Sequence, residues 1–196
     1  MRRLIAPLFI ILSMFTLSAC SVFGGTSVNI APYEVIETEG VIEIRHYERL
    51  VLVSTDMPNG MDSAYGPFYK LFGYISGNND KTEKIAMTAP VFMEQVGQPS
   101  EAMSFVLPAD ISLATAPSPS DSAVKLTELS DYRVAVIRFS GFLNEDSIAT
   151  QQALLKNWIA DKRLTIVGAA KAAGYNPPFT LPFLRRNEIV IPIKKT

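Results

Sequence analysis

Cysteine and histidine are almost missing from this chain, with one of each in 196 residues. A single cysteine excludes an intrachain disulfide framework and any site built from clustered thiolates. A single histidine excludes multi-histidine metal motifs such as H-E-x-x-H. Phosphate-cradling and nucleophile-elbow motifs are absent as well. There is no G-x-G-x-x-G and no G-x-x-x-x-G-K-[ST], and Phe139-Ser140-Gly141 lacks the leading glycine of a G-x-S-x-G elbow. Positive charge is not in excess, with 18 basic against 19 acidic side chains, which argues against a basic nucleic-acid footprint as the source of affinity. What is present suits one folded domain: 48% of the residues are apolar and 19% charged. A chain of this size buries roughly 70% of its unfolded surface and needs no covalent staple.

The N-terminus stands apart. Arg2 and Arg3 precede Leu4 to Leu17, which is almost wholly apolar but short of the ~20 residues that span a bilayer. That pattern predicts a signal peptide. Leu17-Ser18-Ala19-Cys20 then resembles the lipobox of bacterial lipoproteins, which implies cleavage before Cys20 and acyl chains on it. The alternative is an ordinary secretory signal with a chance cysteine. The resulting map is a lipoprotein signal peptide over 1–19, a lipidated tether over 20–32, rich in Gly, Ser and Thr, and one domain over 33–196. Losing the leader removes two of the 18 basic side chains and no acidic one, for a net charge of −3. So mild an acidity speaks against electrostatic adhesion to anionic lipid or nucleic acid. Ser21 after the cysteine is similar to lipoproteins sorted to an outer membrane, which places the expected location on its periplasmic face.

Along the domain, Val41–Val53 reads as two strands with a break near Tyr47 to Arg49. Asp62–Ile75 has helical period, with Asp62 or Ser63 as cap, Pro67 in the first turn and Gly77-Asn78-Asn79 as stop. Ile85–Gln95 and Met103–Leu107 read as strands. The second half repeats the order: strands over Val124–Leu129 and Arg133–Phe139, a helix capped by Asn144 running to about Arg163, an ambiguous Val167–Tyr175, and a closing strand Glu188–Ile193. This predicts an α+β domain in which two helices pack against one curved antiparallel sheet.

Three groups of residues could carry function. Strand parity sets Ile42, Ile44 and His46 on one face and Val41, Glu43, Arg45 and Tyr47 on the other. The isoleucines mark the first face as buried, so His46 is expected inward or at a cavity rim. There it would ligate iron or be tied to the backbone as a core histidine. Tyr65, Phe68, Phe72 and Ile75 recur at helical spacing, with Tyr69 and Leu71 flanking. Such a stripe either packs on the sheet or lines a pocket for a flat ligand. Arg185 and Arg186 could fork onto a ligand carboxylate, or pair with Glu188 and backbone carbonyls.

These blocks carry a resemblance. Leu71-Phe72-Gly73-Tyr74-Ile75-Ser76-Gly77-Asn78-Asn79, Lys84-Ile85-Ala86-Met87-Thr88-Ala89-Pro90-Val91, Ala173-Gly174-Tyr175-Asn176-Pro177-Pro178 and Arg186-Asn187-Glu188 resemble the signature blocks of the SOUL/heme-binding protein family, as does Val35 to Tyr47. The resemblance implies a distorted antiparallel β-barrel of about eight strands with two flanking helices and a pseudo-twofold duplication. It also implies a monomeric, non-enzymatic domain that binds heme or another tetrapyrrole. By that resemblance His46 is the candidate heme iron ligand, Tyr65, Phe68, Leu71 and Phe72 are candidate ligand-binding residues, and Arg186 is a weaker partner for a propionate. The expected mechanism is insertion of a flat ring into an apolar slit between the aromatic helix and the sheet. Two other readings stay open. One is a small-molecule hydrolase on an effector-binding-like fold, which would need Glu43 or Glu48 in a pocket as acid or base. The other is a structural or interaction lipoprotein without a ligand.

Overall fold

The computed structural model describes residues 28–58, 64–94 and 101–194. The expected signal peptide and Cys20 lie outside them. Among the described residues nine strands and two longer helices follow in the order β1 (Asn29–Ile30), β2 (Glu34–Glu39), β3 (Ile42–Asp56), α1 (Tyr65–Ile75), β4 (Thr88–Ala89), β5 (Val91–Glu94), β6 (Ala102–Val106), β7 (Lys125–Phe139), α2 (Glu145–Asp161), β8 (Lys171–Gly174) and β9 (Asn187–Pro192). Six strands close an antiparallel barrel in the order β3-β6-β5-β8-β9-β7, with β7 returning to β3, and β2 adds to the outside of β3. That order is a palindrome, because β3, β6 and β5 of the first half are matched by β7, β9 and β8 of the second. The duplicated α+β barrel expected from the sequence is present. β1 pairs in parallel with β4, so the last residues of the expected tether belong to the fold, and Ala31 is buried.

Both predicted breaks in the long strands are absent. β3 and β7 each run 15 residues and pair in one register from Ile42↔Ile137 to Ser54↔Lys125. What changes midway is the face. Ile44, Ala135 and Ile137 join the cluster under the helices, while Tyr47, Val134 and Val136 join a cluster that holds no helix residue and fills the barrel interior. Past the midpoint the parity inverts: Val51 and Val53 lie under the helices, and Leu50 and Leu52 point inside. The exchange falls at Glu48, Arg49, Ser130 and Asp131, all exposed. Asp131 takes a positive φ of 49° there, a conformation that aspartate tolerates better than most residues. Polar residues at a change of sides resemble a break in a one-dimensional pattern.

The helices end as their sequences dictate. Pro67 is the third residue of α1, where no backbone N–H is missed. Asp62 and Ser63 lie outside the described residues, and the helix begins behind Ala64. At the other end Gly77 takes φ +113° and Asn78 N–H returns to the Gly73 carbonyl at 2.9 Å, the expected stop. α2 opens with a reciprocal cap: Asn144 accepts from Ser147 N–H at 3.0 Å, and Ser147 Oγ accepts from Asn144 N–H at 3.1 Å. Asn144→Ala should therefore lower stability by about 1 kcal/mol in chemical denaturation.

No helix among the described residues is long and apolar enough to cross a membrane.

Candidate functional site

Helix α1 turns a different face to the sheet from the one its aromatic spacing suggests. Pro67, Leu71, Tyr74 and Ile75 are buried, and the last three pack with Val51, Val53, Met57 and Phe105 in the helix-side core. The Tyr74 hydroxyl donates to the Pro117 carbonyl at 2.9 Å. Phe68 is half-buried, its ring 5.2 Å from that of Phe105, and it stacks on Phe72 at 6.1 Å. Tyr65, Tyr69 and Phe72 face water, at 73%, 66% and 45% exposure. The expected slit beneath the helix is filled by Leu71, Tyr74 and Phe105 among the described residues. Both the 65-68-72-75 row and the 67-71-74 row satisfy helical period, and the apolar wall of β3 and β6 selects the second. Three aromatic rings, Tyr65, Tyr69 and Phe72, are left on the outer side as a ledge, with Phe68 between them and the core.

A second centre lies inside the barrel. Arg45 and Tyr47, expected on the exposed side of β3, are each 1% exposed, because that side faces the interior in this half of the strand. Arg45 donates from both terminal nitrogens to Glu188, at 2.8 and 3.0 Å, and from Nε to Glu43 at 2.6 Å. Arg186 donates to Glu188 at 2.9 Å and to the Tyr33 hydroxyl at 3.1 Å, and Tyr175 donates its hydroxyl to Glu188 at 2.8 Å. The rings complete the cage. The Arg45 guanidinium sits 4.3 Å from the Tyr33 ring centre, and that of Arg186 sits 3.9 Å from the Tyr175 ring centre. Burial pushes the Glu188 carboxyl up. Hydrogen bonds and charge from Arg45, then Arg186 and Tyr175, outweigh it and hold the group below its ordinary range. The Tyr47 hydroxyl, buried beside this cage, is pushed up to about 12. Arg186 is thus paired with Glu188, and Arg185 donates to the carbonyls of Thr180 and Pro178. A carboxylate so saturated is a structural anion and no proton carrier.

His46 stands at the rim of a third feature, a cleft of about 790 Å³ lined also by Tyr33, Glu34, Glu48, Arg49 and Ser130. Its side chain is 26% exposed, and Nε2 lies 2.8 Å from Asp131 Oδ1. An ionised carboxylate only accepts, so Nε2 carries the proton in the neutral ring and Nδ1 keeps the lone pair. Ser130 donates its hydroxyl to Glu128 at 3.0 Å, which leaves no serine–histidine pair here. Tyr33 belongs to both the cleft and the interior cage, lining the one and accepting from Arg186 in the other. The α1 aromatics are not part of this lining among the described residues.

Sequence reasoning missed the Arg45–Glu188 pair, although a signal was present. Glu188 opens the otherwise apolar run Ile189-Val190-Ile191, and a charge within a buried strand calls for an opposite charge across the barrel.

Comparison with known proteins adds to this geometry. A family model described as "SOUL heme-binding protein" matches residues 28–192. "Heme-binding protein 2" of Mus musculus is 34% identical over 174 residues, covering 84% of this chain and 83% of that protein. "Heme-binding protein 1" of Mus musculus is 29% identical over 184 residues, covering 86% and 94%. Among solved structures, the EcmrR C-terminal domain superposes with a TM-score of 0.62 at 10% identity, over 84% of this chain and 99% of that one. A hydrolase from Listeria innocua gives 0.55 at 9% identity, over 81% and 94%. At such identities these likenesses speak for the fold alone.

Proposed function

The chain belongs to the SOUL heme-binding protein family, and from that membership we propose a monomeric, non-catalytic protein that binds heme or a related tetrapyrrole. Lipid on Cys20 would hold it in the cell envelope, on the periplasmic face of an outer membrane. The observation that carries the binding reading is the aromatic ledge of α1. Tyr65, Tyr69 and Phe72 stand in water, while Phe68 stacks on Phe72, meets Tyr69 edge-on and ties both to Phe105. A ledge of rigid rings fits a flat apolar macrocycle, whose burial contributes roughly 25 cal/mol per Å² before ordering costs. Heme would supply an iron centre. The chain's part is to cover one face of the ring and shield it from water.

A second reading of where the ligand sits is favoured by the cleft at His46. Asp131 fixes the ring through Nε2 and leaves Nδ1 as the nitrogen able to reach iron, the pattern in which a metal-binding histidine gives its other N–H to a carboxylate. The hydrolase reading is supported by no such geometry. Glu188 is committed to two arginines, Glu43 to Arg45, and Glu48 lies exposed at the cleft.

Hemin titration followed at the Soret band separates these readings. Wild type should show a saturable change, and Tyr65→Ala with Phe72→Ala should weaken it at least tenfold. His46→Ala should leave affinity within a few-fold while moving the band only if His46 meets the iron. Absence of a saturable change in wild type defeats the proposal. An intact titration in the double variant together with a lost one in His46→Ala moves the site to the cleft.

A further inference from the structure

One rim of the barrel holds four large apolar side chains out in water. Phe142, Phe179 and Phe183 are 63%, 67% and 70% exposed, and Leu181 is 41% exposed. They come from two loops, one following β7 and one joining β8 to β9, and the loops are bonded together. Gly141 N–H donates to the Pro182 carbonyl at 2.8 Å. Arg185 donates to Thr180 and Pro178 carbonyls at 2.7 and 2.6 Å, with its guanidinium 5.5 Å from the Phe142 ring centre. Single exposed apolar residues need no explanation, but a contiguous set held outward by ordered loops marks a docking surface.

Two further observations say what covers it. Beside the loops lies a cleft of about 440 Å³ whose lining includes Arg138, Arg185 and Arg186. Glu188 neutralises Arg186. The Arg138 and Arg185 side chains have no carboxylate partner among the described residues. The rim is therefore locally basic on a chain that is acidic in sum. The chain also enters the domain here. Asn29 and Ile30 pair with Thr88 and Ala89 in a two-stranded ladder of their own, two residues before Val91 opens β5, and Val91 lies at the barrel end traced by Val91↔Gly174, Gly174↔Asn187 and Asn187↔Phe139. Cys20 precedes Ala31 by eleven residues, a length that reaches ~40 Å at most.

We infer that this rim docks on a phospholipid bilayer bearing anionic headgroups. Phe142, Phe179, Leu181 and Phe183 enter the boundary between headgroups and acyl chains, and Arg138 and Arg185 meet lipid phosphates. The apolar tips supply the attraction that net charge does not. The inference rests on the lipid-anchor reading for how the domain is delivered to the surface, while the contact itself is made by the rim.

The test uses the full lipidated chain with Leu181→Cys, labelled with the environment-sensitive fluorophore NBD and reconstituted in vesicles of phosphatidylethanolamine and phosphatidylglycerol. Emission should shift to the blue and be quenched by lipids brominated on their acyl chains. The same label at Lys156→Cys, on the exposed side of α2, should report water. Adding Phe142→Ser and Phe183→Ser should abolish the shift at position 181. Equal emission from positions 181 and 156 overturns the inference. So does a blue shift that arises without lipid and grows with protein concentration, since a second copy of the chain is then the occupant. The mass of the Cys20 peptide reports the anchor separately. An acylated chain whose label stays in water refutes the docking alone, and an unacylated chain whose label at 181 is buried in lipid refutes the anchor alone.

Discussion

Glu188→Gln should destabilise the protein by about 3–5 kcal/mol, the largest loss expected from any single polar substitution here. The reason is what remains behind. Glu188 is fully buried and is the shared counter-charge of Arg45 and Arg186. Neutralising it leaves the Arg45 guanidinium, itself 1% exposed, with Glu43 alone. Denaturant unfolding of the two proteins at neutral pH measures the effect. The pH dependence gives an independent check. The folded carboxyl is held below its ordinary value. Its contribution is therefore complete above the unfolded glutamate value, near 4.3, and fades as pH falls from there through the depressed folded value. Wild type should lose stability across that acid window, and the glutamine variant, having lost the contribution already, should show a shallower slope there. Equal slopes would mean that Glu188 is not ionised in the fold.

Leu71→Ala should cost 2–5 kcal/mol, the usual range for truncating a fully buried leucine. Phe72→Ala, one residue along the same helix, should cost about 1 kcal/mol or less, because only its stacking on Phe68 is lost. Thermal unfolding midpoints of the two variants measure this difference directly. A severe loss from Phe72→Ala would show that the aromatic ledge holds the fold together, and its role as a ligand platform would need another argument.

Helix α2 shows how much a local signal can carry. Asn144 ahead of Glu145 marks its start, and the cap at Asn144 forms as read, with Ser147 completing it from the other side. The stop of α1 at Gly77 is equally local. The faces of β3 were not legible in the same way. Parity describes a strand whose two sides keep the same surroundings, whereas β3 leaves one half of the duplicated barrel and enters the other at Glu48 and Arg49. The rule that correctly joined His46 with Ile42 and Ile44 therefore put Arg45 and Tyr47 on the wrong side. His46 sits at a cleft rim, as one of its two readings had it, but on the outer wall and bound to Asp131, 85 residues away in sequence.

Element order, caps, turn chemistry and family membership were set within the linear chain, because each depends on contacts a few residues apart or on blocks of recognisable residues. Which face of α1 packs, which side of each long strand is inside, and which carboxylate neutralises Arg45 were settled only when the barrel closed. Arg45 and Glu188 are 143 residues apart. Burial and charge pairing are properties of closed three-dimensional surroundings, and no window of sequence contains both partners.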